Sequence, residues 1–274
     1  MTAVAELVQG RELLYNLTLR ELRGKFKRTA LGWTWSMLNP LSSIVIYTIV
    51  FSTFLNGVPD RGNPSNLFNF TLWLTCGLLP WNFINTGVQS TLGSLVGNSN
   101  LIKKVYFPRE YIVAASVLSW LVTFGIELSV MSVVFLFFGQ VVFAWVPIAL
   151  IFIALQTVLV LGLSLLLASV NVYFRDVQHF VGIGMQIWFY LTPIVYRTAL
   201  VHETLQSSLA RKLYGLNPML RFTDAYRNLF YDQRMPPVQT FVACAVASFA
   251  ALFLGWAVFS RLEPRSQKSC DGLG

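Results

Sequence analysis

Charged residues are scarce in this 274-residue chain: Asp, Glu, Lys and Arg make up only 12% of it, whereas hydrophobic residues make up 55%. The mean hydropathy is +0.60, and a soluble domain of this size needs a more polar surface than such a composition provides. The composition therefore excludes a soluble protein and predicts an integral membrane protein.

Cysteine and histidine are also scarce, with three Cys and two His. Cys76 and Cys244 fall in apolar stretches and Cys270 falls in the polar tail, so no disulfide framework or zinc site is predicted. His179 and His202 lack the His-Glu-x-x-His spacing of a metalloprotease. We therefore expect neither a metal nor a cofactor in this chain.

The sequence lacks the phosphate-binding loop of ATPases. Its only Gly-Lys pair, Gly24-Lys25, is followed by Phe26 and has no Gly five residues before it. Any ATP and Mg²⁺ would be bound and hydrolysed by another chain. A membrane glycosyltransferase would need clustered outer carboxylates, and the candidates are scattered: Asp60, Glu203, Asp224 and Asp232. An enzyme is the weaker class.

Long apolar stretches are abundant, and a helix of about 20 apolar residues can cross a bilayer. Six such stretches predict an all-α, six-span protein: Met37 to Leu55, Leu67 to Val96, Ile112 to Phe138, Val141 to Val170, Phe180 to Tyr196 and Val238 to Phe259. An even number of spans places both termini on one side of the membrane.

The net charge of +8 is best explained by topology rather than by nucleic-acid binding. With the termini in the cytoplasm, 13 of the 20 basic residues lie inside, and most of the others come from one long outer segment. Basic residues in long segments count less in the positive-inside rule. We expect both termini to be cytoplasmic.

Residues 1–36 are predicted to form a cytoplasmic interface segment, followed by a transmembrane domain at 37–260 and a cytoplasmic tail at 261–274. Apolar residues recur at roughly helical spacing before the first span, which favours an amphipathic helix at the membrane surface over an ordinary solvated helix. Basic and Trp residues would anchor it: Lys25, Lys27, Arg28, Trp33 and Trp35.

Two cytoplasmic connections carry further basic residues. The first alternates apolar and basic residues in a short amphipathic helix ended by Pro108, with Leu101, Ile102, Lys103, Lys104, Tyr106 and Phe107, and then Arg109. The second is a tight turn at Arg175 and Asp176, with Asp176 placed to cap the next helix. The positive-inside rule explains the positive charge of Lys103, Lys104 and Arg109 as well as a contact with a partner protein does.

Glu127 is the one charged residue well inside an apolar span. It either hydrogen-bonds inside the bundle or contacts a substrate, and the absence of a basic partner argues weakly against secondary transport. Aromatic rings could line a path for sugars, although interfacial belts and lipid-facing packing explain most of them. The candidates for the path are Tyr47, Phe51, Trp73, Trp81, Trp188 and Tyr190.

Five segments, in order, resemble the permease subunits of type-2 ABC exporters, the family that exports O-antigens, teichoic acids and other lipid-linked polysaccharides. They are Lys27 to Trp33 with Asn39-Pro40, Leu101 to Pro108, Asn171 to Val177, Leu191 to Tyr196 and Asn217 to Met219. Each segment alone is weak, but the ordered set is specific and covers nearly the whole chain. The chain is also similar to actinobacterial members that export the lipid-linked galactan of the cell wall.

The resemblance implies a homodimer in a bacterial inner membrane, paired with two copies of a P-loop ATPase subunit. The interface helix, the Leu101 to Pro108 helix and the Arg175-Asp176 turn would contact that ATPase. Short helices at the outer exit would form a gate that includes Asn217, Pro218, Tyr226 and Arg227. The alternatives are a membrane enzyme of polyprenyl-glycan assembly and a secondary carrier.

Reversing the charge of Lys103 and Lys104 to Glu is expected to lower permease-coupled ATPase activity several-fold without unfolding the chain, because a rigid basic contact would be lost. Reversing Arg265 and Lys268 in the tail gives the same change in net charge and serves as the control. Unchanged ATPase stimulation and export in the Lys103 and Lys104 variant would contradict the coupling role.

Overall fold

The computed structural model describes residues 3–25, 34–50, 59, 61–98, 108–198, 201, 207, 211 and 214–271. Within these residues every regular element is a helix, so the predicted all-α class is confirmed. The α-helices are α1 (Ala3–Lys25), α2 (Trp35–Thr48), α3 (Phe70–Leu92), α4 (Ser94–Gly97), α5 (Glu110–Phe137), α6 (Val146–Tyr173), α7 (Val177–Tyr190), α8 (Pro218–Tyr226) and α9 (Val238–Asp271). A 3₁₀ turn (Phe143–Trp145) precedes α6, and a π-helical turn (Arg227–Asp232) follows α8.

Three helical segments among the described residues are long and apolar enough to cross a membrane. They are Glu110–Phe137, Phe143–Tyr173 and Val238–Leu262, of 28, 31 and 25 residues. At about 1.5 Å per residue, each exceeds the roughly 30 Å of a hydrocarbon core. They coincide with the third, fourth and sixth predicted spans.

The other three predicted spans correspond to helices of a different character. α3 has 23 residues but carries Asn82, Asn85 and Gln89 among its apolar residues. α2 and α7 have 14 residues each, about 21 Å, which is shorter than the hydrocarbon core. Residues 51–55 of the first predicted span lie outside the described residues.

α3 lies at the centre of the bundle, in contact with α2, α5, α6 and α8. Its rings stack on the neighbouring helices: Phe83 and Phe124 lie parallel with their centroids 4.8 Å apart. Phe124 in turn meets the edge of Tyr226 at 6.0 Å. One continuous core therefore joins α3, α5 and α8.

α6 and α9 form the most extensive helix pair, and glycine allows their close approach. A Cβ on Gly162 would fall against the backbone of Ala251 and Leu252, and a Cβ on Gly255 would fall against the carbonyl of Gly162. Small residues serve this purpose in membrane helices because they let backbones approach one another.

The bundle has two ends, which we name after one residue each. At the Arg175 end, Asn171 Nδ2 donates to Leu92 O at 2.7 Å, and Tyr173 Oη donates to Leu262 O at 2.8 Å. At the Arg227 end, Tyr231 Oη donates to Leu67 O at 2.9 Å, just before α3 begins. α9 runs from the Arg227 end past residue 260 to Asp271, so the predicted start of the tail at 261 lies inside a continuous helix.

Replacing Gly162 with Ala is expected to lower the free energy of unfolding by about 1–3 kcal/mol, because the added methyl group would overpack a backbone contact. Gly125 of α5 offers a matched control, since a Cβ there meets nothing within 4 Å. Gly125→Ala should be neutral or slightly stabilising, because Ala is the better helix former. Denaturant titration of the two purified variants in detergent measures the difference, and equal stabilities would contradict this packing argument.

Candidate functional site

Four of the aromatic residues predicted to line a path fall into one cluster or against it. Trp81 of α3 meets the edge of Trp188 at 5.7 Å and of Phe189 at 5.5 Å. Phe189 also stacks on Tyr47 of α2 at 5.9 Å and meets Tyr190 at 5.2 Å. The cluster therefore joins α2, α3 and α7. Tyr190 is 59% exposed, so its ring can be reached from outside the bundle.

Asn217 connects this aromatic cluster to α8. Its Oδ1 accepts a hydrogen bond from Trp188 Nε1 at 2.8 Å and from the Met219 amide at 3.0 Å, and the latter caps α8. Its Nδ2 donates to Thr192 Oγ1 at 3.0 Å and to Leu191 O at 3.2 Å. Pro218 follows as the first residue of α8, where its missing N–H costs nothing.

Tyr226 is fully buried, and its hydroxyl lies deep in the bundle. The hydroxyl donates to Gln156 Oε1 of α6 at 2.9 Å, and Gln156 Nε2 donates to Pro80 O of α3 at 2.7 Å. The three residues form a hydrogen-bonded chain across α8, α6 and α3. Such a chain satisfies polar groups where water is absent.

Arg227 and Trp73, assigned in the sequence to an outer gate and to the path, are in direct contact. The guanidinium carbon of Arg227 lies 3.5 Å from the Trp73 ring centroid, and Arg227 Nη2 donates a hydrogen bond to Ile194 O at 2.8 Å. Arg227 is 7% exposed and Trp73 is 4% exposed. Arg227 begins the π-helical turn, an irregularity frequently found at functional sites.

Lys25, the anchor residue whose side chain the structure describes, lies against α5 at the end of α1. Its Nζ is 3.4 Å from the ring centroid of Trp120, a cation–π contact. Burial lowers the pKa of Lys25 to about 7, and the negative charges of Glu21 and Glu127 oppose that shift. Lys25 comes from outside the spans and interacts with Glu127 only electrostatically, because its Nζ has no hydrogen-bond partner among the described residues.

The Arg175 end holds three predicted contact residues, because Arg109 directly precedes α5 and Arg175 and Asp176 directly precede α7. Arg175 and Asp176 are exposed in the turn between α6 and α7 and are therefore accessible to a partner. Asp176 occupies the N-cap position of α7 as predicted, but the prediction that its side chain caps the helix is wrong. Asp176 precedes α7, but its backbone carbonyl receives the His179 and Phe180 amides, at 3.0 and 3.2 Å, and its carboxylate makes no capping bond.

Several predicted site residues lie outside the described residues: Lys27, Arg28, Trp33, Phe51, Leu101, Ile102, Lys103, Lys104, Tyr106 and Phe107. Trp35 begins α2, and nothing further is described of its side chain.

Gln156, Trp120 and Phe189 were not singled out in the sequence, although each contacts a residue that was. Gln156 carried a signal: it is an uncharged polar residue inside the apolar stretch Ile151 to Leu161. A buried amide, like the carboxyl group of Glu127, must find partners inside the bundle. Phe189 and Trp120 carried no such signal, since aromatic residues are common throughout the chain.

Comparison with known proteins agrees with a membrane transport protein. Residues 12–231 match the ABC-2 type transporter family, so the chain belongs to that family. It is 31% identical over 271 residues to the O-antigen export system permease protein RfbA of Myxococcus xanthus, covering 98% of both chains. It is 29% identical over 259 residues to a Klebsiella pneumoniae protein of the same name, covering 93% of both. It is 21% identical over 257 residues to the polysialic acid transport protein KpsM of Escherichia coli, covering 90% of this chain and 92% of that one. The resemblance seen in the sequence motifs is confirmed.

Replacing Gln156 with Leu is expected to lower the free energy of unfolding by about 1–3 kcal/mol, because the buried Tyr226 hydroxyl would lose its acceptor. The double variant Gln156→Leu with Tyr226→Phe should recover most of that loss, since both polar partners are then gone. Thermal unfolding in detergent of wild type, both single variants and the double variant completes the cycle. Strictly additive losses would show that the two side chains do not interact.

Proposed function

We propose that this chain is the permease subunit of an ABC-2 exporter that moves a lipid-linked polysaccharide from the cytoplasmic to the outer leaflet of a bacterial inner membrane. The observation that carries the proposal is the match along nearly the whole chain to permease proteins named for O-antigen export. The all-helical bundle with apolar spans supports it. Cell-wall galactan linked to polyprenyl pyrophosphate is the substrate we favour, from the similarity to actinobacterial exporters.

ATP is hydrolysed in this proposal by a separate subunit, which binds ATP and Mg²⁺. The family relationship supports this division, and the sequence contains no phosphate-binding loop. Two permease chains would form the path and two ATPase chains would drive it. The ATPase would contact the Leu101 to Pro108 segment, Arg109, and the exposed turn of Arg175 and Asp176.

Six spans remain our topology, with both termini and the Arg175 end in the cytoplasm. α7 alone is too short to cross the membrane. The residues that follow it lie in the protein interior, where Thr192 and Ile194 are both fully buried. Irregular backbone is tolerated at membrane depth where protein surrounds it. Basic residues at the Arg175 end support the orientation: Arg20, Arg23, Lys25, Arg109, Arg175 and Arg261.

The homodimer in this proposal rests on the family resemblance, and an exposed apolar stripe on α7 is compatible with it. Phe180, Ile183, Ile187 and Tyr190 recur at helical spacing, and each is more than half exposed. Such a stripe suits contact with lipid, with a second copy or with the cargo. Beside the buried cluster of Trp81 and Phe189, the exposed ring of Tyr190 would offer a surface past which sugar C–H faces could slide.

The test is to tag the chain, purify it gently from its native membrane and identify its companions by mass spectrometry. We expect a P-loop ATPase in near-equal molar amount. An unrelated multi-span protein carrying the same tag controls for non-specific recovery. Reproducible absence of an ATPase from the tagged sample would contradict the exporter assignment.

A further inference from the structure

A cavity of about 720 Å³ opens at the Arg227 end, between the loop before α3, the start of α3, α8, the π-helical turn and the start of α9. Its volume lies within the range of small-molecule sites. Among the residues that the structure describes, six charged ones line it: Arg61, Arg221, Arg227, Arg234, Asp224 and Asp232. Arginine stays protonated at any physiological pH, so within the described part of the lining four positive charges face two negative ones.

The two carboxylates are already engaged with the cavity wall. Asp232 Oδ2 lies 3.2 Å from Arg234 Nη2, and Asp232 Oδ1 accepts a hydrogen bond from the backbone N–H of Asn63 at 3.3 Å. Asp224 interacts electrostatically with Arg221, Arg227 and Arg234 together. One carboxylate shared among three guanidinium groups leaves the cavity with a positive excess.

Contacts with the cavity wall hold the arginines in place. Arg234 Nε donates to Asn228 Oδ1 at 2.7 Å, and the described contacts of Arg227 include a neutral carbonyl and a neutral indole ring. The Nε of Arg221 is buried and has no hydrogen-bond partner among the described residues. Each guanidinium group has five N–H donors in a planar fork that matches phosphate oxygens in bidentate fashion.

A neutral sugar ring would be a poorer occupant. Sugar sites in proteins use the open face of an aromatic ring, and Trp73 at this cavity presents one face to Arg227 and lies 5.8 Å from Phe70. With 4% of its surface exposed, Trp73 cannot stack on a sugar. The chemistry of the cavity therefore favours an anion over a glycan face.

We propose that this cavity is a binding site for a phosphate or pyrophosphate group carried by a lipid. The identity of that lipid rests on the proposed function, in which the pyrophosphate that joins polysaccharide to polyprenol reaches the outer leaflet here. An anionic phospholipid head group presents the same chemistry, and the experiment separates the two sources.

The test uses the full chain in nanodiscs of phosphatidylcholine, which carries no net charge, and needs neither the ATPase nor the polysaccharide. Isothermal titration calorimetry measures the dissociation constants of inorganic pyrophosphate and of farnesyl pyrophosphate. Arg221→Gln is expected to raise both dissociation constants about tenfold, because one charge-assisted contact is lost. Arg234→Gln, at a side chain that is 53% exposed, provides a second variant that should fold.

Arg261→Gln is the matched control, because it removes the same charge from an exposed residue of α9 at the opposite end of the bundle. It should bind both probes as wild type does. Absence of binding to the wild type, or equal affinities in the Arg221 and Arg261 variants, would overturn the proposal.

Repeating the titration in nanodiscs containing phosphatidylglycerol identifies the source. Unchanged affinity for farnesyl pyrophosphate supports the polyprenyl carrier, whereas strong competition supports the same site with a phospholipid head group as its ligand. The outcome is independent of the ATPase test: an ATPase companion without pyrophosphate binding removes this inference alone. Pyrophosphate binding without an ATPase companion removes the exporter assignment and leaves the site.

Discussion

Gln156 joins three helices because an amide buried in an apolar bundle must find its partners inside the protein. It accepts from Tyr226 of α8 and donates to the carbonyl of Pro80 in α3, both within 3 Å. These contacts fix how α8 lies against α3 and α6. The position of α8 in turn sets where Asn217 and Arg227, at its two ends, can act.

Because of that placement, the two ends of α8 contact surfaces of different charge and polarity. Asn217 at its start bonds to the Trp188 indole and so belongs to an aromatic, uncharged surface shared with α7. Arg227 just beyond its end enters a cavity lined by three other arginines. In a lipid-linked polysaccharide, the sugars and the pyrophosphate would find their complementary surfaces at opposite ends of one short helix.

Much of the fold was predictable because its cause is local. Three predicted spans match helices closely, since continuous apolar stretches longer than the bilayer admit little else. α3 was predicted but is more polar than the others: Asn82 and Asn85 are half-buried, and the exposed Gln89 donates from its Nε2 to Asn85 Oδ1 at 2.7 Å. The Asp176 side chain does not cap α7 because Asp176 has helical rather than extended backbone angles, and the Gln178 and His179 amides bond to the carbonyls of Arg175 and Asp176.

The sequence by itself determined that the chain is a helical membrane protein, where its longest spans lie, and which transporter family it belongs to. Those properties follow from composition, periodicity and ordered motifs, all of which are read along the chain. Only the tertiary structure decided that Lys25 reaches Trp120, that Trp73 is covered by Arg227, and that Arg61 shares one cavity with the arginines of residues 221–234. Those contacts join residues tens to more than a hundred positions apart, and helix packing rather than sequence spacing sets their distances.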